Sequence, residues 1–405
     1  MYFLWYYQPA TLLYYGKVIA MDADIIVIGA SPAGLMAARN AALKGANVIL
    51  IERKEVIGNP THPANTFFKG MFDRAGETVD QGYVIKNLKG AHIVAPSGGE
   101  VVIQSPAYFL DRKKFDEYYA QQVRKAGVDV RTGIEALNVI RSEGIFSLST
   151  NEGILKSKFV IISDGINSRI AGLLGMKPIK YPRDIAWSME AEVEAPGLGE
   201  PDMFEYYVGN HAPGWKSTYS PCGGDRATLG VYVRRHGTDV SSFFDAWVER
   251  FKNIKGLNDI SVISKSVGGD PIAAIPGEIV AEGVMVTGGS AAQSGIGYAM
   301  HAGQMCGDVA ADAIAKGNVS ATFLSQYRKR WNQEYRNEYY LGRIALEALR
   351  KMTDKEIDAM MQVFEGEDLS FIQGNPVVKA MRTGMFMLKK KPSSLLAYRA
   401  ALRRK

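Results

Sequence analysis

The feature that most constrains the fold lies near the N-terminus. The short β-branched run Asp24–Ile28 (DIIVI) leads directly into Gly29-Ala30-Ser31-Pro32-Ala33-Gly34, and LMAARNAALK continues with helical character. An apolar run without alternation marks a strand covered on both faces, the kind found inside parallel sheets. Gly45 stands where a helix stop is expected, and a second strand, Asn47–Ile51 (NVILI), closes on Glu52. Strand, glycine turn, helix, strand and acid within about thirty residues form the fingerprint of a dinucleotide-binding βαβ unit. Gly29 permits the tight turn, Gly34 and Ala38 let the helix lie close to the strand, and the amides at the helix start face a pyrophosphate. Ser31 stands where the motif carries its second glycine; a side chain that small narrows the backbone approach without blocking it. Glu52 is placed to accept hydrogen bonds from the 2′- and 3′-hydroxyls of an adenosine ribose, which favours an unphosphorylated ribose, as in FAD or NAD. Gly29, Ser31, Ala33, Gly34, Glu52 and the adjoining Arg53 are therefore the candidate nucleotide contacts.

Composition narrows the class. At 405 residues the chain exceeds one ordinary hydrophobic core. Its 47% hydrophobic and 22% charged residues are the balance of a folded globular protein rather than a disordered one. Cys222 and Cys306 are the only cysteines and lie far apart, so neither a disulfide framework nor a zinc site is expected, and the usage fits a reducing cytoplasm. His62, His92, His211, His236 and His301 show no paired ligand spacing, so no metal is assigned. The sequence has no G-x-S-x-G elbow and no Walker A lysine, which argues against a hydrolase or an NTPase.

The net charge of +6 sits at one end of the chain. No carboxylate follows Asp368 whereas nine cations do, so the first 368 residues carry a net −3. A nucleic-acid groove would spread Lys and Arg over a fold surface among stacking aromatics, and nucleic acid is not an expected partner. The cations are interleaved with Met381, Met385, Phe386, Met387, Leu388, Leu395, Leu396, Tyr398 and Leu402. That pattern suits a segment lying on an anionic bilayer, and equally a helical cap with a charged outer face. The expected location is cytoplasmic, peripheral on the inner face of the membrane. Residues 1–20 (MYFLWYYQPATLLYYGKVIA) lack the basic start of a signal peptide and any apolar run long enough to span a bilayer. They read as an extension upstream of a start at Met21, with an aromatic lip for a membrane surface as the alternative.

Later segments bear on the choice between FAD and NAD. Tyr108–Gly127 (YFLDRKKFDEYYAQQVRKAG) reads as an amphipathic helix introduced by Asp111 and Arg112, and Val128–Val139 as a strand pair. Phe159–Ser163 (FVIIS) runs into Asp164-Gly165-Ile166-Asn167-Ser168-Arg169; Val284–Thr287 (VMVT) leads to Gly288-Gly289-Ser290-Ala291-Ala292, and Gly295–Ala315 looks helical. This series resembles the para-hydroxybenzoate-hydroxylase-like flavoproteins and, within them, the archaeal geranylgeranyl reductases, from Met21 to about Val363. The specific parts are GASPAG with IERK, LDRKKFDEYYAQQVRKAGV, SDGINSRIAGLLGM, FEYYVGNHAPG, GIGYAMHAG and LSQYRKRW. The resemblance implies that Arg112 lies along FAD, that Ala136 lends backbone contacts, that Asp164-Gly165 supports the cofactor domain, and that the Gly295-Ile296 amides face the isoalloxazine ring. Read from the residues alone, Arg112 is equally a surface arginine at a helix start, and Asp164 an N-cap.

The resemblance also implies the reaction: saturation of isoprenoid C=C bonds in archaeal-type lipids by hydride from reduced flavin. No second glycine-rich βαβ unit is visible for a pyridine nucleotide, so electrons would come from ferredoxin, another protein, or transiently docked NAD(P)H. A flavin monooxygenase on the same scaffold, or a flavin-binding protein with a degraded site, are the alternatives. Three departures from the reductase pattern motivate them. The family's Gly-Asp-Ala-Ala motif, whose aspartate bonds the ribityl chain, reads as Gly289-Ser290-Ala291-Ala292, which puts Ser290 at the aspartate. Gln293-Ser294 replaces a longer Pro- and Gly-containing loop. The Tyr/Trp segment before Phe-Pro appears as Gly214–Pro221, and the family's cysteine is Pro63 in IGNPTHPANT, so no catalytic residue is assigned.

The expected architecture is α/β: a Rossmann-like, three-layer FAD-binding domain with a parallel sheet, an inserted antiparallel β-sheet substrate domain, and a C-terminal helical region. The boundaries read as 1–20 for the extension, 21–184 for the first part of the FAD domain with a β insert at about 82–108, and 185–272 for the substrate domain. Residues 273–320 then complete the FAD domain and 321–405 form the helical region with its basic tail. The inserts around 82–105 and 185–269 together suggest a sheet, in which Trp187, Phe204, Tyr206, Trp215 and Tyr219 either line an apolar substrate channel or form ordinary sheet core. Leu324, Tyr327, Trp331 and Tyr335 make one helical stripe, and Thr353-Asp354-Lys355-Glu356 has the look of a capping box.

Overall fold

The computed structural model describes residues 12–14, 17–60, 65–235, 237–367, 369 and 376–403. The readings placed on His62, Pro63, His236 and most of residues 1–20 fall outside these. The chain divides into two compact units: Met1–Asn59, Asp116–Lys180 and Pro276–Gln333 form the first, and Pro60–Phe115, Tyr181–Ile275 and Glu334–Lys405 the second.

The first unit is built on parallel strands in the order Asp129–Thr132, Val48–Glu52, Ala23–Ile28, Gly153–Ile162, Val284–Val286. Val280–Ala281 adds an antiparallel edge, and Ala136–Ser142 with Ile145–Thr150 fold back as a meander onto the start of Gly153–Ile162. Every residue of Ala23–Ile28 is buried, as a strand between two parallel neighbours with both faces covered must be. The helix Pro32–Leu43 begins as its sequence dictates. Ser31 is the N-cap and its Oγ accepts from the Gly34 amide at 3.2 Å, while Pro32 fills the first helical position, where a missing N–H does no harm.

A second long helix, Ile296–Ala315, crosses the first at backbone distance. A Cβ built on Gly303 would stand 2.2 Å from the Ala33 carbonyl oxygen, and one on Gly307 2.3 Å from that of Ala37. Two glycines one turn apart on one helix meet two alanines one turn apart on the other, and no larger pair fits.

The second unit holds one eight-stranded sheet in the order Ser261–Asp270, Ala186–Glu194, Arg226–Val233, Lys216–Gly223, Met203–Tyr207, Val84–Val94, Glu100–Leu110, Thr66–Phe68. Its neighbours are antiparallel except Met203–Tyr207 and Val84–Val94, whose parallel pairing joins the two inserts into a single sheet. Helix Val240–Lys255 covers one face, laying Phe244, Trp247 and Phe251 against Tyr207, Tyr219, Leu229 and Val231. The helix expected from Tyr108 starts only at Arg112. Tyr108, Phe109 and Leu110 continue the strand, and Asp111 ends it by accepting from the Lys114 amide at 3.1 Å.

The helix Ala321–Lys351 buries Leu324, Tyr327, Trp331 and Tyr335, each 1% exposed or less, as their spacing requires. Its last part is tied into the second unit by ions. Arg234, with its side chain fully buried, donates to Glu347 at 2.5 Å, and Asp184 accepts from Arg343 at 2.6 Å and Arg350 at 3.2 Å. Asp354–Met361 follows with both bonds of its capping box formed between Thr353 and Glu356. Pro376–Lys390 and Pro392–Arg403 complete the described chain.

Gly303→Ala or Gly307→Ala should therefore lower stability by about 1–3 kcal/mol through overpacking. Gly342, exposed within Ala321–Lys351 with nothing within 4 Å of a built Cβ, makes the control: Gly342→Ala should raise stability by about 0.5–1 kcal/mol. Urea unfolding of the three variants measures both signs.

Candidate functional site

Three loops meet at the carboxyl ends of the parallel strands in the first unit: Gly29–Gly34, the loop after Ser163, and Gly288–Gly295. Backbone contact holds them together. The Ser163 amide donates to Ile28 O at 2.8 Å and the Thr287 amide to Ile162 O at 2.9 Å. A Cβ on Gly29 would lie 2.4 Å from Ser163 O, one on Gly34 2.0 Å from Gly29 O, and one on Gly288 2.8 Å from the Ala33 Cβ. Gly29 and Gly288 also hold φ of +99° and +68°, where a side chain is strained. The Ser31 hydroxyl hydrogen-bonds that of Ser163, joining the first two loops. Open α/β sheets bind their ligands in such a crevice.

Glu52 stands at one side of this crevice. Its Oε2 accepts from the Ala30 amide at 2.8 Å and its Oε1 from the Lys54 amide at 3.0 Å, which orients the carboxylate and leaves acceptor capacity for ribose hydroxyls. Arg53 beside it is exposed. The turn before Ala136 is bound to the same strand end, Ile134 N to Glu52 O at 3.0 Å, while the Ala136 carbonyl itself accepts from Arg169. Opposite, Gly295 caps Ile296–Ala315 with φ +89° and no side-chain cap. The first amides of a helix have no intrahelical acceptor, and the helix dipole favours electron-rich groups there. A dinucleotide fits this set: a capless helix start, a glycine cradle and an oriented carboxylate.

The Gly288–Gly295 turn is closed by a residue whose part the sequence did not reveal. Gln293 is 1% exposed; its Oε1 accepts from the Gly288 amide at 2.7 Å and the Thr287 hydroxyl at 3.1 Å, and its Nε2 donates to Tyr327 Oη at 2.7 Å. A signal was present, since a tyrosine in an apolar helical stripe needs a partner for its hydroxyl.

Ser290 requires a correction, while Asp164 takes the capping role read from the residues alone. Ser290, expected at the ribityl-binding aspartate, is fully buried: its Oγ accepts from the Gly165 amide at 2.9 Å and lies 2.9 Å from both Asp164 Oδ1 and Gly165 O, to one of which it donates. The Asp164 Oδ2 accepts from the Ile170 amide at 2.9 Å, so the carboxylate caps Arg169–Leu173. Burial holds the Asp164 carboxyl above the usual carboxylate range, against these hydrogen bonds, which favour the charged form. Both side chains are thus engaged within the loop. Gly289 is different: a Cβ there would meet only the Ile166 amide, at 3.8 Å. Reading Gly-Asp-Ala-Ala one residue earlier, onto Gly288-Gly289-Ser290-Ala291, puts the aspartate's place at this open position. The left-handed φ of +56° at Ala292 then falls just past the motif.

Arg112 belongs to the second unit, where it is buried with its guanidinium 5.6 Å from the Phe115 ring; it is not a surface arginine. The expected channel residues divide between core and half-buried positions. Tyr219 is 1% exposed, donates to Leu198 O at 2.5 Å and packs under Val240–Lys255. Phe204 is 0% exposed among Phe68, Leu88 and Phe109. Both are core. Tyr206, Trp215 and Trp187 are half-buried. Register places Thr218 opposite Tyr206, and Tyr232 opposite Lys216, on the face away from that helix. The Lys216 Nζ lies 3.5 Å from the Tyr206 ring centroid, and the Tyr232 hydroxyl donates to the buried Glu190. Where the reductase pattern has aromatic residues, this face carries a cation and hydroxyls. Burial pushes the Cys222 thiol up to about 11, so it is no thiolate at neutral pH.

A family model described as pyridine nucleotide-disulphide oxidoreductase matches residues 26–180. The digeranylgeranylglycerophospholipid reductase of Methanocaldococcus jannaschii is 31% identical over 394 residues, 94% of this chain and 98% of the relative. Digeranylgeranylglycerophospholipid reductase 1 of Methanothermobacter thermautotrophicus is 28% identical over 396 residues, with coverage of 94% and 98%. The solved structure of a geranylgeranyl bacteriochlorophyll reductase-like protein from Thermoplasma acidophilum matches with a TM-score of 0.82 at 24% identity, covering 94% of this chain and 99% of that one. A halogenase in complex with phloroglucinol and FAD shares the fold with a TM-score of 0.68 at 11% identity, covering 94% and 86%.

The two neighbouring positions make a paired test. Ser290→Asp would set a second carboxylate against Asp164 in a buried place, forcing the pair to share a proton. The folded pair then binds protons more tightly than the unfolded chain. Stability should therefore be retained in acid and lost as pH rises to neutrality, by about 1.4 kcal/mol for each tenfold gain in the pair's proton affinity. Gly289→Asp should fold normally and slow the loss of bound FAD. Urea unfolding at acid and neutral pH, with flavin release followed by fluorescence, reads both.

Proposed function

We propose, from the premise that this chain belongs to the digeranylgeranylglycerophospholipid reductase family of FAD-dependent oxidoreductases, that it saturates isoprenoid C=C bonds of archaeal-type membrane lipids. The observation that carries the reading is the convergence of Glu52, the Gly29–Gly34 helix start and the uncapped Gly295 helix start on one crevice, within a chain that matches these reductases over 94% of its length. The amides after Ser31 would hold the pyrophosphate of FAD, Glu52 the adenosine ribose, and the amides after Gly295 would favour negative charge on the isoalloxazine ring. When bound, reduced FAD supplies a hydride to one alkene carbon, and a proton completes the other. Gln293 keeps the Gly288–Gly295 turn closed. Within the second unit, the sheet face of Tyr206, Lys216 and Thr218 is the part we assign to the lipid substrate. Electrons come from an external donor, ferredoxin or NAD(P)H. The lipid itself resides in a bilayer, and the basic C-terminal helices are the part of the chain suited to meet one.

Mass analysis of the cofactor released from purified protein should give FAD; release of FMN alone would refute the nucleotide assignment. Glu52→Ala should weaken FAD retention by about 1.5–3 kcal/mol, the scale of lost charge-assisted hydrogen bonds.

The reaction is tested with dithionite-reduced protein and a geranylgeranyl glycerophospholipid under anaerobic conditions. The lipid should gain two hydrogens for each bond saturated, by mass spectrometry. Unchanged lipid without O2, together with a gain of oxygen in its presence, would establish the monooxygenase alternative instead.

A further inference from the structure

The last two helices carry apolar side chains on two sides, of which one is covered among the described residues. On the inner face, Tyr398, Ala401 and Leu402 of Pro392–Arg403 pack with Val101, Met352, Ile357 and Met361. Met387 is 6% exposed, and Phe386 stacks on Phe364 with ring centroids 5.6 Å apart. On the outer face, Met381, Met385 and Leu388 are 55%, 54% and 52% exposed, and Leu396 is 65% exposed. The steps of four and three residues align the first three in one stripe along Pro376–Lys390. Arg382, Lys389, Arg399 and Arg403 are exposed around them, and no carboxylate occurs after Asp368. Leu396, Arg399, Ala400 and Arg403 line a surface recess of about 530 Å³.

We propose that this outer face docks the protein on an anionic phospholipid bilayer. Charge complementarity selects that occupant: each Lys or Arg at such a surface contributes roughly fivefold in partitioning at low salt, while the Met and Leu side chains enter the headgroup boundary. A solvated cap accounts for the cations but not for the exposed apolar stripe, and a buried helix accounts for the stripe but not for the cations. Among the described residues no helix is long and apolar enough to cross a membrane, so the segment lies on the surface. The docking deepens the reading of the C-terminal helices given above by naming the face that meets the bilayer, and it does not depend on the reaction.

The test is co-sedimentation of the full chain with vesicles of phosphatidylglycerol and phosphatidylcholine, or of phosphatidylcholine alone, at low and high salt. Two variants accompany it, Met381→Gln/Met385→Gln/Leu388→Gln and Arg382→Gln/Lys389→Gln/Arg399→Gln/Arg403→Gln. All seven positions are exposed, and thermal melting confirms that the variants fold. The expected result is binding to the anionic vesicles that falls at least tenfold on phosphatidylcholine, at high salt, and in either variant. Equal binding to both lipids, no binding at all, or undiminished binding by either variant would overturn the proposal. So would sedimentation showing that the apolar stripe instead joins two copies of the chain, with the Gln variant monomeric and vesicle binding unaltered.

Discussion

The first unit depends on how closely two helices may cross. Gly303 and Gly307 rest on the carbonyls of Ala33 and Ala37, so the separation of the axes is set by backbone and not by side chains. Ala33 lies in the first turn of its helix and Gly303 roughly 10 Å along the other, at 1.5 Å per residue. The crossing therefore ties the turn after Gly29 to the turn before Ile296. A methyl group at the crossing would move one turn against the other, and sites that bind by backbone amides tolerate only about 0.5 Å of such error. The same pair of helices is thus both the centre of the packing and the device that spaces two helix starts for one ligand.

Around that crossing the polar loops are closed by a few buried hydrogen bonds. Asp164, Ser290 and the Gly165 backbone form one closed group, and Thr287, Gln293 and Tyr327 another. In a low-dielectric surrounding such groups hold a loop in one shape because every alternative leaves a donor or acceptor without a partner. The second group explains how a turn shorter than the reductase pattern stays ordered: Gln293 spans from the Gly288 amide to the helix Ala321–Lys351 and takes over part of what a longer loop does through its own backbone.

What the sequence made legible follows from side chains that carry their own geometry. The β-branched run before Gly29, the four-residue stripe from Leu324 to Tyr335 and the Thr353–Glu356 box each encode local structure, and each formed as read. The failures came where local chemistry is silent. In Gly288-Gly289-Ser290-Ala291-Ala292 a slip of one residue changes no visible pattern, and only the burial of Ser290 beside Asp164 and the left-handed Ala292 reveal the register. In a strand a slip of one residue exchanges the faces, so Tyr219 fell into the core while Lys216 and Thr218 joined Tyr206. Aromatic residues suit strand and helix alike, which is why Tyr108–Leu110 read as the start of a helix. The parallel pairing of residues 84–94 with 203–207 is a contact across more than a hundred positions and leaves no local trace.

The sharing of this fold among different enzymes bears on how function should be read from it. A reductase-like protein and a halogenase share the fold with TM-scores of 0.82 and 0.68, so the fold by itself does not choose a reaction. The flavin brings the same redox chemistry wherever it is held, and the protein's contribution is to decide what meets it and how dry the meeting is. In the second unit Phe244, Trp247 and Phe251 fill one face of the sheet, and Tyr206, Lys216, Thr218 and Tyr232 stand on the other. A cation 3.5 Å from an aromatic ring and a tyrosine bound to a buried carboxylate make that face more polar than the helix-covered one. The alternation of side chains along each strand sorts the two chemistries, so one sheet carries an apolar core on one side and a polar set on the other.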